Sequence, residues 1–158
     1  MTDFPHSYTA TSSAVPDGDV LLQSPGLPDL MSAPPEEFGG PGTRWSPETL
    51  LAGAVADCFI LTFRAAARAA KLPWTSLSCH VTGTLDRVDR VTRFTGFVLC
   101  ATLDVPAGTD PRAAEQLMSR AEHGCLIRNS LNSSCTFEPV VHVAAAEVSE
   151  PMAADVQC

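Results

Sequence analysis

Basic residues are scarce in this sequence. It contains a single lysine, Lys71, and ten basic side chains in all against 18 acidic ones, giving a formal charge of −8 over 158 residues. Proteins that bind the phosphate backbone of a nucleic acid usually have a stripe of basic residues on their surface. Proteins that bind anionic lipid surfaces usually have a polybasic patch. We therefore expect neither a nucleic-acid partner nor a membrane partner.

The sequence also shows no pattern typical of a targeting segment. The N-terminal residues show no cationic stretch followed by an apolar core, so no signal peptide is predicted. The most apolar run, residues 49–63, contains Asp57 and is too short and too charged to span a bilayer. These features predict a cytoplasmic protein.

The six cysteines show no Cys-x-x-Cys spacing, which argues against a zinc ribbon or a thioredoxin-type motif. In the reducing cytoplasm, cysteines are packing residues or reactive thiols rather than a disulfide framework. Cys79 and His80 are adjacent on a predicted strand and point to opposite faces, so a zinc site is not expected. Cys79, Cys100 and Cys135 lie on or beside predicted strands and are expected to be core residues.

The clearest predicted element is a long helix over residues 47–71. Ser46 is a favourable N-cap, Pro47 suits the first helical position, and Glu48 places a negative charge in the first turn. Nothing breaks the pattern before Pro73. The first half of the segment is apolar nearly all round, which predicts a central, buried helix.

The rest of the chain predicts an α+β fold. Residues 1–45 are rich in proline and glycine and predict extended segments and turns, with a short strand at 20–22. The other predicted elements are strands at 77–85 and 97–103 joined by a loop at 86–91, a helix at 111–122, a short helix at 125–132, a strand at 137–146 and a loose tail at 147–158. We expect antiparallel sheets around the central helix, within one domain over residues 1–158.

Two cysteines stand apart by context. Cys58 lies in the middle of the predicted long helix, and Cys125 directly follows Gly124. The surrounding segments, SPETLLAGAVADCF at 46–59 and EHGCLIRNSL at 122–131, resemble the OsmC/Ohr family of thiol-dependent hydroperoxide reductases. The order of the predicted elements matches that family as well.

The resemblance implies a pair of catalytic cysteines that reduce organic hydroperoxides. Cys58 matches the peroxidatic position, whose thiolate attacks the peroxide, releases an alcohol and becomes a sulfenic acid. Cys125 matches the position that condenses with this sulfenic acid to form a disulfide. A lipoyl-bearing protein or another external thiol then reduces the disulfide, and no bound cofactor is implied. Glu48 matches the acidic residue that holds a catalytic arginine near the reactive thiol.

The source of that arginine differs here from the family pattern. A thiol must ionise to attack a peroxide, and an arginine favours the thiolate because it stays charged when buried. The family arginine usually comes from the N-terminal region, but residues 1–43 contain no arginine or lysine. Arg44 is the nearest substitute, and Arg128 beside the second cysteine is another candidate.

The spacing of Glu48 and Cys58 predicts a homodimer. Ten residues on one helix correspond to about 15 Å along its axis. A carboxylate that far away cannot join a hydrogen-bond network at the thiol of its own helix. If both residues serve one site, as the resemblance implies, Glu48 must reach Cys58 of a partner subunit.

Two other functions remain open at this point. The chain could keep the fold without catalysis and hold a small hydrophobic molecule beside its buried thiol. It could also be a thiol-based hydrolase or acyl carrier, which nothing beyond the reactive cysteines favours. An organised cation at Cys58 would favour the peroxidase, and a closed apolar site would favour the ligand-binding protein.

Overall fold

A computed structural model describes residues 3–145 of the chain. These residues divide into two compact units, one ending at Ala54 and the other beginning at Val55. The expectation of one domain over residues 1–158 stays a prediction. The predicted tail at 147–158 and residue 146 of the predicted last strand lie outside the described residues.

The N-terminal unit contains a small antiparallel sheet. Its strands, in sheet order, are β1 (Thr11–Ser13), β2 (Val20–Gln23) and β3 (Leu30–Ser32). The sequence predicted only the middle strand, because the outer two are three residues long and lack an alternating pattern. A 3₁₀ helix at Glu36–Phe38 follows, within the region predicted to form extended segments and turns.

Helix α1 spans Pro47–Ala70 and confirms the predicted long helix. The hydroxyl of Ser46 accepts the N–H of Thr49 at 3.2 Å, and the hydroxyl of Thr49 accepts the N–H of Ser46 at 2.8 Å. This reciprocal pair is a capping box in which threonine replaces the usual Glu or Gln. Lys71 has a φ of 54°, and this left-handed residue follows the last helical turn.

A smaller part of the α1 surface is buried than the sequence predicts. Within this chain its buried residues form one stripe at helical spacing: Val55, Cys58, Phe59, Phe63 and Ala67. Leu61, on another face, is 51% exposed. Among residues 3–145, α1 is the one helix that is long and apolar enough to cross a membrane. The core helix of a soluble protein meets the same criteria.

The second unit is built on a three-stranded sheet in the order β4 (Ser76–Val88), β5 (Val91–Val105) and β6 (Ser134–Val143). Strands β4 and β5 form the predicted antiparallel hairpin. Strand β6 pairs with β5 in parallel, with Phe97 opposite Cys135. Parallel strands need a long connection, and here helices form the connection that returns the chain to the start of β5.

The predicted hairpin loop at 86–91 is wrong. The two strands continue until only Asp89 and Arg90 remain between them. Both residues have positive φ values, 51° and 67°, which are the values of a type I′ turn. This turn matches the twist of the strands, so pairing extends further than the hydrophobic alternation indicates.

Two helices separate β5 from β6. Helix α2 spans Pro111–Gly124 and confirms the predicted second helix, and the side chain of its N-cap, Asp110, accepts the N–H of Arg112 at 3.0 Å. Helix α3 spans only Leu126–Asn129, which is shorter than predicted. Helices and mainly antiparallel sheets in one chain confirm the α+β class.

Candidate active site

The structure brings the two predicted catalytic cysteines together. Cys58 lies on the buried stripe of α1 and is 8% exposed, while Cys125 is fully buried at the N-cap of α3. Their side chains are close enough for the Cys58 thiol to raise the pKa of Cys125. A pair of buried thiols this close together is the arrangement that a sulfenic acid and a resolving thiol require.

Burial dominates the ionisation of Cys125. The pKa of this thiol is raised to about 11, chiefly by burial and less by Cys58, while the backbone N–H groups of Arg128 and Ile127 lower it. The N–H groups at the start of α3 favour the thiolate, but burial outweighs them. Cys125 is consequently a neutral thiol near pH 7.

Glu48 lines an apolar cavity in the N-terminal unit. The cavity has a volume of about 410 Å³, and its other walls include Leu22, Pro34 and Phe38. The Oε2 atom of Glu48 is buried and has no hydrogen-bond partner among the described residues. A buried carboxylate oxygen without a partner is costly. Its role of holding a catalytic arginine stays a prediction.

Arg44 is engaged within its own unit. Its Nε lies 2.7 Å from Oδ2 of Asp19, and the arginine side chain is 46% exposed. An ion pair this exposed contributes at most about 1 kcal/mol. The predicted action of Arg44 on Cys58 stays a prediction. The ion pair with Asp19 does not prevent this action, because it is weak enough for Arg44 to exchange it for another partner.

A second arginine, Arg128, is held by a buried carboxylate that the sequence reasoning missed. Arg128 Nε lies 2.9 Å from Oε1 of Glu122, whose side chain is only 4% exposed. The N–H is not directed at this oxygen, so the contact is an ion pair rather than a hydrogen bond. The signal lay in α2, where the apolar stripe of Ala114, Leu117, Met118 and Ala121 continues to a glutamate.

The other described cysteines are not all core residues. Cys79 and Cys135 are half-buried, whereas Cys100 is exposed and donates its S–H to Glu138 at 3.2 Å. The expectation of a buried Cys100 is wrong, because the alternation of β5 turns Leu99 and Ala101 inward instead. Within residues 3–145, no three His, Cys, Asp or Glu side chains are grouped so that they could bind a metal ion.

Comparisons with known proteins agree with this fold. The sequence profile described as OsmC-like protein matches residues 40–140, most of the chain. No curated protein sequence is significantly similar. The chain belongs to the OsmC-like family.

Solved structures resemble most of this chain. An OsmC-like protein from Vibrio cholerae superposes with a TM-score of 0.80 at 16% identity, covering 86% of this chain and 100% of the other. An organic hydroperoxide resistance protein from Legionella pneumophila has a TM-score of 0.70 at 26% identity, covering 89% and 100%. Another organic hydroperoxide resistance protein, from Elizabethkingia anophelis, has a TM-score of 0.66 at 17% identity, covering 90% and 100%.

Proposed function

We propose that this protein is a cytoplasmic, thiol-dependent peroxidase that reduces organic hydroperoxides to alcohols. The thiolate of Cys58 attacks one peroxide oxygen, the O–O bond breaks, and the alkoxide leaves as an alcohol after taking up a proton. Cys58 becomes a sulfenic acid. The Cys125 thiol then attacks this sulfur, water leaves, and a Cys58–Cys125 disulfide forms.

The proximity of the two buried thiols carries this proposal. A disulfide needs sulfur atoms about 2 Å apart, and thiols already close together require little movement to reach that distance. The name of the Legionella relative, an organic hydroperoxide resistance protein, points to the same substrate class.

The remaining steps depend on partners. An external dithiol, such as a lipoyl-bearing protein, returns the disulfide to two thiols by exchange, so the protein needs no bound cofactor. The protein acts as a homodimer in this proposal, which is supported by the exposed Leu61 of α1 and by the unpartnered oxygen of Glu48. An arginine, either Arg44 or Arg128, favours the Cys58 thiolate.

One observation favours a second candidate function. The pKa of Cys125 is determined by burial, by two backbone N–H groups and by Cys58. Among residues 3–145, no charged side chain contributes to it. A closed thiol site without a cation fits an OsmC-like protein that holds a small hydrophobic molecule and does not catalyse a reaction.

A peroxide consumption assay separates the two functions. With dihydrolipoamide as the reductant, we expect faster turnover of cumene or tert-butyl hydroperoxide than of hydrogen peroxide, since an apolar site gains binding energy from alkyl groups. The Cys58→Ser variant serves as the inactive control. Equal turnover of hydrogen peroxide contradicts the proposed preference, and no turnover with any peroxide favours the ligand-binding protein.

A further inference from the structure

Two side-chain bridges span the turn between α2 and α3 that carries Cys125. Cys125 is the C-cap of α2 and the N-cap of α3. The first bridge is the ion pair in which Arg128 Nε lies 2.9 Å from Oε1 of Glu122. In the second, Asn129 Nδ2 donates to the backbone carbonyl of His123 at 2.8 Å. Both bridges cross Cys125, and the segment from Glu122 to Asn129 is called the Cys125 turn below.

Backbone bonds hold this turn only locally. The Cys125 N–H donates to the carbonyl of Glu122 at 3.1 Å, and the Asn129 N–H donates to the carbonyl of Cys125 at 3.0 Å. Helix α3 has four residues, and a helix this short is not stable without tertiary contacts. Within the described part of the chain, the Cys125 side chain makes no cap hydrogen bond. The two bridges therefore decide how α3 and the Cys125 thiol are oriented.

The bridges are anchored in the protein interior through Glu122. Its side chain is only 4% exposed, and its second oxygen, Oε2, lies 3.1 Å from Nδ1 of His123. A buried carboxylate that loses its cation is left uncompensated away from water, so this anchor depends on Arg128. The Nη1 atom of Arg128 also donates to Oδ1 of Asn129 at 3.4 Å. The two bridges thus form one network that begins at a buried position of α2.

The same turn lies against α1 one helical turn beyond Cys58. The hydroxyl of Thr62 donates to the backbone carbonyl of Cys58 at 2.7 Å. The methyl group of Thr62 faces Gly124, since a Cβ at position 124 would lie 3.5 Å from it. Gly124 directly precedes Cys125. The orientation of the turn therefore affects how the thiol of Cys125 meets that of Cys58.

We propose that Glu122, Arg128 and Asn129 are positioning residues that hold the Cys125 turn in the orientation that presents its thiol to Cys58. The inference rests on the proposed function for the pairing of the two thiols and not for the reaction with peroxide. When the thiol attacks the sulfenic acid, the S–S bond forms, the S–O bond breaks and water leaves. The three residues take no part in these bond changes and set how often the two sulfur atoms meet.

The test measures the effective concentration of one thiol toward the other. In glutathione redox buffers, Cys58 and Cys125 become a disulfide while one oxidised glutathione becomes two reduced ones, and the equilibrium constant gives this concentration. The tryptic peptide 45–64 carries Cys58 and no other cysteine. Mass spectrometry of this peptide distinguishes the free thiol, the glutathione adduct and the cross-link to Cys125.

Variants of the two bridges are expected to lower the effective concentration. Arg128→Gln should lower it by about tenfold, because a misplaced group loses effective concentration. Asn129→Ala, at an exposed position that tolerates the change, should lower it less. Arg128→Lys should restore part of the loss, since lysine keeps the charge beside Glu122 but lacks the fork that also reaches Asn129. Arg120→Gln, which removes an exposed arginine of α2, is the matched control and should change nothing.

Two further variants separate positioning from general loosening. If Glu122 and Arg128 act as a pair, adding Glu122→Gln to Arg128→Gln should cause little further loss. Val105→Ala removes methyl groups from the core at the end of β5. It should lower the urea midpoint of unfolding without changing the effective concentration, because the folded state remains the populated one.

Each outcome decides a part of the proposal. An effective concentration that is the same in Arg128→Gln, Asn129→Ala and the wild type overturns it, as does an equal loss in Val105→Ala. Wild-type protein that forms no cross-link also overturns it. An unchanged value in Asn129→Ala alone removes that residue from the network. If Arg128→Gln does not fold, Asn129→Ala still provides the comparison.

A parallel assay keeps this inference apart from the proposed function. Turnover of cumene hydroperoxide by the wild type, with an unchanged effective concentration in the variants, refutes the positioning role alone. A lowered effective concentration in the variants, with no turnover of any peroxide by the wild type, supports the positioning role and refutes the peroxidase.

Discussion

The thiols of Cys58 and Cys125 lie close together, although one lies within a long helix and the other caps a four-residue helix that follows the β4–β5 hairpin in the chain. Both are buried, so neither is simply a surface thiol. This proximity distinguishes the pair from the exposed Cys100 and predicts which cysteines become oxidised together.

The first prediction concerns this pair. Stoichiometric organic hydroperoxide should remove two free thiols from the wild-type protein, because Cys58 and Cys125 form one disulfide. Cys125→Ser should stop at a sulfenic acid or over-oxidise, and Cys58→Ser should lose the fast reaction. Thiol titration and peptide mapping measure these outcomes, with Cys79→Ser as the control that keeps both thiols. A dominant disulfide that contains Cys79, Cys100 or Cys135 would contradict the assignment.

The second prediction concerns stability at alkaline pH. Burial raises the pKa of Cys79 and of Cys125 from the usual 9.0 to about 11 each. Between these values the unfolded chain loses protons that the folded chain keeps, so the free energy of unfolding is unaffected below pH 9 and falls as the pH rises toward 11. Urea unfolding at about pH 8 and pH 10.5 should show a smaller loss in Cys79→Ser/Cys125→Ser than in the wild type.

The other groups that titrate in this pH range, among them the thiols of Cys100 and Cys135, are common to the two proteins. The same holds for the single lysine, Lys71, and the single tyrosine, Tyr8, which are both exposed. Equal losses of stability in the wild type and the double variant would show that the buried thiols do not titrate as inferred.

The third prediction concerns Arg44. Its ion pair with Asp19 is exposed and weak, so the arginine can be exchanged onto a thiolate. Arg44→Ala should slow alkylation of Cys58 near neutral pH by about tenfold, and Arg44→Lys should restore only part of the rate because a point charge lacks the planar fork. Asp19→Asn, which frees Arg44, should not slow the reaction. An unchanged alkylation profile in Arg44→Ala would leave Arg128 as the activating cation.

The fourth prediction is that active sites are shared between two chains. Glu48 has a buried oxygen without a partner, and its spacing from Cys58 prevents it from serving the thiol of its own helix. Glu48→Ala and Cys58→Ser chains, each inactive alone, should recover up to about half of the wild-type activity per mixed dimer when co-expressed, because one of the two sites is then intact. No recovery in the mixture, or a monomer in solution, would rule out shared sites.

Local signals account for the parts of the fold that were predicted correctly. Ser46 and Pro47 begin α1, and Asp110 and Pro111 begin α2, as the sequence predicted. Capping and the fixed φ of proline act within one helical turn, so they can be recognised without knowledge of distant residues. The turn at Asp89 and Arg90 was missed because neither residue is a glycine or asparagine, the usual markers of positive φ.

By itself, the sequence determined the two long helices, the β4–β5 pairing and the two cysteine motifs that mark the OsmC-like family, because each depends on residues close together in the chain. Only the tertiary structure decided that β6 lies parallel to β5 and that Cys58 lies close to Cys125. It also decided that Arg128 forms an ion pair with the buried carboxylate of Glu122. These arrangements bring together residues from different elements. The packing of the elements decides which residues touch, and no local sequence pattern encodes that packing.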